Sequence, residues 1–352
     1  MANFSKSSED FVTAAQNVLA SHDETARKQM LNTAMKVMAM LEAPLDTVWR
    51  TIMSPYAPAA LMTLIKAGVI QEIAKSDSAT SADQLASASG ADKLLIVRLL
   101  RPLNALGFVK ETKQEEYAPT PITKILFMFS AATRSLANLP FHLEKTHFKN
   151  VERAPGPFQD AHNTQDNMFL WLIKDPPMMG NFNAFVTGQR ADRKQWFDFF
   201  DIDAILLNGA NTDSDATLLI DIGGGEGDLI SKIERQKYDF FQGQPVNGAR
   251  CYYFCSIFHD WPDADCIRIL KNKAMAMTPG YSKLLMSEFV LPASNTPLYP
   301  ALLDVNMMAV LNGMERTEAQ FSALLDAAGL KVVKFWSIAP EVEGLVEAVL
   351  KD

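Results

Sequence analysis

The chain has 352 residues, 48% hydrophobic and 21% charged, with a formal net charge of −8. That length suffices for two ordinary domains, and the balance is that of packed domains rather than of a disordered chain. The acidic charge argues against a general nucleic-acid binder, which needs a basic face, and no apolar run approaches the roughly 18 residues of a membrane span.

Residues 8–42 read as helical. Phe11, Ala14, Ala15, Val18 and Leu19 recur at helical spacing, as do Met30, Ala34, Val37, Met38 and Leu41. Ala43-Pro44 closes this part. Residues 45–76 read as helices broken at Pro55 and Pro58, with the stripe Ala60, Leu61, Leu64, Ile65 running to Gly68. Ser81 caps a short helix and Gln84, three residues on, completes a capping box. Gly90 turns the chain into a second helix, 93–106, ended by Gly107. Two short strands, 108–112 and 116–120, then form a wing.

A helix pair with a wing is a DNA-binding layout. Here the wing carries Glu111, Glu115 and Glu116, and the 93–106 helix has long apolar faces. This points to a structural or dimerising role instead. Residues 121–205 read as helices rich in aromatics, among them Phe127, Phe158, Phe169, Trp171, Phe185, Trp196 and Phe200. Most belong to a core, and others suit a pocket for a flat apolar substrate. A polar stretch at 208–216 marks a boundary. The expected domains are therefore 1–120, 121–207 and 208–352.

From Leu218 to Gly227 the chain reads Leu-Leu-Ile-Asp-Ile-Gly-Gly-Gly-Glu-Gly, and a helical start follows at 228–233. Strand, glycines, helix is the opening of a nucleotide-binding α/β domain. In such a domain a second strand ends in an acid for the ribose, about 20 residues on. Here the helix runs directly into Glu234-Arg235-Gln236-Lys237-Tyr238-Asp239-Phe240-Phe241, with no second apolar strand. Strand-like runs at 251–257, 283–290, 331–338 and 344–350 alternate with helices at 263–277 and 316–328. This predicts a mostly parallel sheet with helices on both faces.

The cysteines Cys251, Cys255 and Cys266 contain no Cys-x-x-Cys pair, and the five histidines are scattered. Neither a disulfide framework nor a metal is expected. With no charged-then-apolar leader, the expected location is cytoplasmic.

Several ordered motifs now resemble those of plant- and fungal-type small-molecule O-methyltransferases. They are Asp221-Ile222-Gly223-Gly224-Gly225-Glu226-Gly227, His259-Asp260-Trp261-Pro262-Asp263, Pro279-Gly280-Tyr281, Glu288-Phe289-Val290-Leu291-Pro292 and Gly313-Met314-Glu315-Arg316-Thr317. The resemblance covers nearly the whole chain. It implies a Rossmann-like methyltransferase domain preceded by an all-α, winged-helix dimerisation domain. It further implies S-adenosyl-L-methionine as cofactor, a homodimer, and a phenolic or enolic hydroxyl of a small aromatic or polyketide-like metabolite as acceptor. His259 matches the general base, and Glu288 and Glu315 match the acids that orient it. Asp221, Gly223, Gly225, Asp239 and Phe240 match cofactor contacts. Asp260 reads as a cap for the helix that starts at Pro262 or Asp263, and Glu315 alone also reads as a cap for the helix near Thr317.

Two departures from the family stand out. One βα unit is missing between Ile233 and Glu234, and with it the ribose acid. Cys255 occupies the place, four residues before His259, where the family usually has Lys or Arg. Loss of a bidentate ribose contact weakens cofactor binding by roughly two orders of magnitude. The sheet must also re-pair, with 234–241 a candidate to lie beside 218–222. Two other functions stay open on these grounds: a methyltransferase-like cyclase that moves no methyl group, and an inactive dimeric partner.

Overall fold

The computed structural model describes all residues except 1, 22–23, 77, 124–129, 177, 181, 184–185, 187–194, 225–235, 237 and 352. The chain forms two compact units. One is Met1–Arg134 with Leu170–Ala191, and the other is Ser135–Phe169 with Asp192–Asp352.

In the first unit the helices Ala2–Ser21 and Glu24–Leu41 pack on each other. Pro44 does not close a helix but opens the next, Pro44–Met53, at a first-turn position where no N–H is needed. A break does fall at Pro55, the N-cap of Tyr56–Lys66, whereas Pro58 lies in that helix's first turn and breaks nothing; a further break falls at Gly68, whose φ is +79°. The Ser81–Gln84 capping box is formed, with the Ser81 N–H donating to Gln84 Oε1 at 2.9 Å. Asp92 caps Lys93–Ala105 by accepting from the Leu95 N–H. The wing is a three-stranded antiparallel sheet, because Thr80–Ser81 (β1) joins Val109–Lys113 (β2) and Glu116–Pro119 (β3) in the order β1-β3-β2. Its core holds Leu64, Ile73, Leu85, Leu100 and Tyr117. Lys93, one of the cations of the helix, is paired with Asp83 and Glu115.

The second unit carries a five-stranded sheet of Leu219–Ile222 (β4), Cys251–Cys255 (β5), Lys283–Glu288 (β6), Leu330–Trp336 (β9) and Gly344–Leu350 (β10), in the order β4-β5-β6-β10-β9. β4, β5 and β6 are parallel. β10 runs antiparallel to both its neighbours, so it alone is reversed. Two short strands, Val290–Leu291 (β7) and Arg316–Thr317 (β8), form a separate parallel pair. The helices Asp263–Ala274 and Glu318–Ala327 cover one face, with Phe254, Ile269, Leu284, Leu325 and Val346 at its centre. Phe200, Leu206, Tyr253 and Leu345 form the core of the other face. Among the described residues no single helix is long and apolar enough to cross a membrane.

Of the stretch expected to re-pair with β4, residues 238–241 form no strand. β4 is the sheet edge among the described residues. Residues 238–242 instead lie against the helix Asp263–Ala274. Asn272 Nδ2 donates to the Phe241 carbonyl at 2.6 Å, the Arg268 guanidinium stacks over the Phe241 ring, and Lys273 sits over Tyr238. Burial pushes the Lys273 ammonium down to about 8. The next turn is fixed by Tyr252, whose hydroxyl lies 2.8 Å from the Ala276 carbonyl and 3.0 Å from that of Val246. Tyr252→Phe is expected to destabilise the protein by about 1–3 kcal/mol in urea unfolding. An unchanged midpoint would show that these carbonyls find other donors.

Candidate active site

Catalytic groups of an open α/β sheet gather at the carboxyl ends of its strands. Here the chain leaves β5 at Cys255 and turns sharply, with Ser256 in the left-handed region (φ +51°) and its N–H on the Ser287 carbonyl. A single 3-10 turn, Phe258–Asp260, follows and carries His259. So short a turn leaves its own amides and carbonyls unpaired, and they must find partners elsewhere.

Two buried charged side chains supply them. Glu288, at the end of β6, accepts from the Ile257 N–H at 2.9 Å and the Phe258 N–H at 2.7 Å through Oε1. Arg316 is 1% exposed. It donates to the carbonyls of Phe258 (2.6 Å), Trp261 (2.9 Å) and Met314 (3.3 Å) and to the Asp263 carboxylate. Gly313 completes the fit: a Cβ there would collide with the carbonyl oxygen of His259.

His259 and Glu315 meet directly, with Nδ1 to Oε1 at 2.8 Å. The Glu315 N–H is held in turn by Asp304 at 2.9 Å, from the helix Leu298–Leu311. Glu288 Oε2 lies 3.9 Å from the same Nδ1. Glu315 therefore orients the ring by a hydrogen bond, and Glu288 acts on it at longer range while fastening the turn. Among the described residues, the second oxygens of both glutamates find no hydrogen-bond partner, although they are buried. Asp260 is not a helix cap. The N-cap of Asp263–Ala274 is Pro262, and the Asp260 carboxylate lies 3.4 Å from His259 Nε2. Nor does Glu315 cap a helix; Thr317 does, in a capping box with Gln320.

Burial disfavours a charged His259, but Asp260, Glu288 and Glu315 outweigh it and push the imidazole up to about 10. Burial pushes Glu288 up to about 7, against the pull of His259 and the two amides. One nitrogen of His259 and one carboxylate oxygen each of Glu288 and Glu315 lie within 4.8 Å of one another. Each residue is engaged by the protein itself, the ring by Glu315 and Glu288 by the turn.

The cofactor side begins at Gly223, which turns the chain out of β4 with φ +80°. A Cβ there would meet Ile257 Cδ1, with Phe240 alongside, and a Cβ on Gly224 would collide with the Asp221 carboxylate. Both glycines are thus required by the close packing of Ile257 and Asp221 against the chain where it leaves β4. Phe240 packs against Phe241 and meets Trp261 edge-on. The Asp239 carboxylate is exposed and turned to its own loop, accepting from the Phe241 N–H and the Gln242 amide. Gly225 lies outside the described residues.

Arg316 is the site residue that sequence reasoning passed over, although it stands beside Glu315. A lone arginine reads as a surface charge, and only its burial shows the clamp.

Comparison with known proteins agrees with this fold. Residues 231–331 match the O-methyltransferase domain family and residues 49–128 match the O-methyltransferase dimerisation domain. The chain belongs to the O-methyltransferase family, whose cofactor is S-adenosyl-L-methionine. Among its relatives are the O-methyltransferase penC of Penicillium thymicola, 33% identical over 93% of this chain and 92% of the relative, and the O-methyltransferase asqD of Emericella nidulans, 34% identical over 75% and 79%. The structure of OxaC in complex with sinefungin and meleagrin superposes with a TM-score of 0.81 at 28% identity, covering 99% of each chain. A pericyclic reaction enzyme superposes with a TM-score of 0.82 at 24% identity, covering 97% and 98%, and shares the fold. The penC alignment runs over 370 positions but uses 93% of a 352-residue chain, which leaves some 40 positions without a counterpart here. That is about the size of a strand-and-helix unit with its connections.

Replacing Arg316 by Met is expected to cost about 3 kcal/mol or more of stability, because the carbonyls of Phe258, Trp261 and Met314 lose their charged donor in a buried place and Asp263 loses its partner. Urea unfolding measures it, and a loss under about 1 kcal/mol would show that the clamp is dispensable.

Proposed function

We propose that the protein methylates a phenolic or enolic hydroxyl of a small aromatic or polyketide-like metabolite, with His259 taking the hydroxyl proton. The observation that carries this reading is the 2.8 Å bond between His259 Nδ1 and Glu315. A hydroxyl is a poor nucleophile until its proton is removed, and an imidazole fixed at Nδ1 presents Nε2 for that task. Glu315 sets the tautomer and stabilises the imidazolium that forms. Glu288 adds negative charge behind the ring and keeps its turn in place.

Gly223, Asp221 and Phe240 would hold the cofactor, with Gly225 and Asp239 as further contacts. When bound, the cofactor supplies an electrophilic methyl group on a sulfonium. The residues contribute position, since the acceptor oxygen must lie in line with that methyl group. The presence of small-molecule ligands in OxaC supports an acceptor of that size. The cyclase reading has only the shared fold in its favour, and the hydrogen-bonded His–Glu pair is what methyl transfer needs.

Purified protein incubated with S-adenosyl-L-methionine and a panel of phenols and cyclic 1,3-diketones is expected to release S-adenosylhomocysteine. His259→Gln should lower that rate by about 100- to 10,000-fold without unfolding the protein. A variant as fast as the parent would remove His259 from the reaction.

We infer that the protein works as a homodimer. Its support is the match to the dimerisation domain and the apolar helix Pro44–Met53, where Val48, Trp49, Ile52 and Met53 are each half exposed. Such a face is costly to leave in water. Light scattering should give twice the chain mass of 39.0 kDa, and a monomer at micromolar concentration would refute the inference.

A further inference from the structure

His259 faces a carboxylate at each ring nitrogen, hydrogen-bonded at Nδ1 and at ion-pair distance at Nε2. Glu315 Oε1 lies 2.8 Å from Nδ1, and Asp260 Oδ1 lies 3.4 Å from Nε2, the nitrogen that the acceptor hydroxyl needs. Glu288 Oε2 stands 3.9 Å behind Nδ1. The carboxylates come from three elements: Asp260 from the turn itself, Glu288 from the end of β6 and Glu315 from the residue before β8. Asp304, on the helix Leu298–Leu311, acts one bond further out through the Glu315 N–H. The nearby cation, Arg316, points at the carbonyls of Phe258, Trp261 and Met314 and at Asp263. The ring is thus surrounded by acids on every side for which the structure gives a charged neighbour.

We propose that Asp260 is a positioning residue of this site: it occupies the acceptor-side nitrogen of His259 and holds the ring as an imidazolium between turnovers. This rests on the proposed role of His259 as base and adds a condition to it. An imidazolium accepts no proton. Before each turnover the ring must give the Nε2 proton to solvent, and the acceptor hydroxyl must displace Asp260. The freed nitrogen then takes the hydroxyl proton as the oxygen gains its methyl group, and the ring is an imidazolium again. Asp260 is suited to being displaced. Its side chain keeps contact with solvent, whereas those of Glu288 and Glu315 have almost none. The high proton affinity of the ring, at about 10, agrees with the geometry.

The arrangement also fits a cationic cofactor. A second positive charge beside the ring disfavours the imidazolium by ordinary repulsion. The acids therefore keep a net attraction for that charge while the ring loses its proton.

The test is the titration of His259 in the full-length protein, followed by histidine carbon-13 NMR and assigned with His259→Gln. In the parent the ring should remain protonated to at least pH 8.5. In Asp260→Asn the midpoint should fall by a full pH unit or more. Asp265→Asn, which removes a half-buried acid of the neighbouring helix that pairs with Arg268, should leave it unmoved. Asp260→Ala serves if the asparagine variant does not fold. A parent midpoint near 6.5, or an Asp260 variant that titrates like the parent, would overturn the proposal. The titration needs no turnover. Methyl transfer that survives in His259→Gln would instead defeat the assignment of the base, with the NMR result standing on its own.

Discussion

A turn of three residues cannot hold itself. The turn that carries His259 has no ladder and no helix beyond one 3-10 loop, and its amides and carbonyls are buried. Glu288 takes two of the amides and Arg316 takes two of the carbonyls, so one acid and one base clasp the same short segment from opposite sides. Each would be costly to bury alone, and backbone dipoles aimed at the guanidinium and at Glu288 Oε1 offset that cost. The position of the imidazole follows from that clasp, as does the bare backbone of Gly313 where no side chain fits.

The clasp also joins the two halves of the site. Trp261, whose carbonyl Arg316 holds, meets the rings of Phe240 and Phe241 edge-on. Those rings belong to the stretch 238–242 that precedes β5. Residues 238–242 lean on the helix Asp263–Ala274 through Asn272, Lys273 and Arg268. Phe240 and Phe241 are thereby referenced to the same tryptophan that Arg316 ties to the turn of His259.

Much of this was legible in the chain. Ser81 and Gln84 announced their capping box, Gly68 and Gly107 their turns, and the alternation after Leu218 a parallel sheet. The three residues His259, Glu288 and Glu315, far apart in sequence, do converge. What the residues did not reveal has physical reasons. The helix Leu298–Leu311 is apolar on every side and lacks the single stripe that marks a surface helix. The reversal of β10 depends on its pairing between β6 and β9, which no local pattern encodes. Thr80–Ser81 is too short to show a strand period. Asp260 and Arg316 look like ordinary surface charges until tertiary packing shows what each one faces.

The most direct test of the site is a crystal structure of the protein with S-adenosylhomocysteine and a phenolic acceptor. The arrangement predicts the acceptor oxygen within hydrogen-bond reach of His259 Nε2, with Glu315 still on Nδ1 and the thioether sulfur beyond that oxygen near Gly223. An acceptor seated away from Nε2, or a ring turned off Glu315, would contradict it.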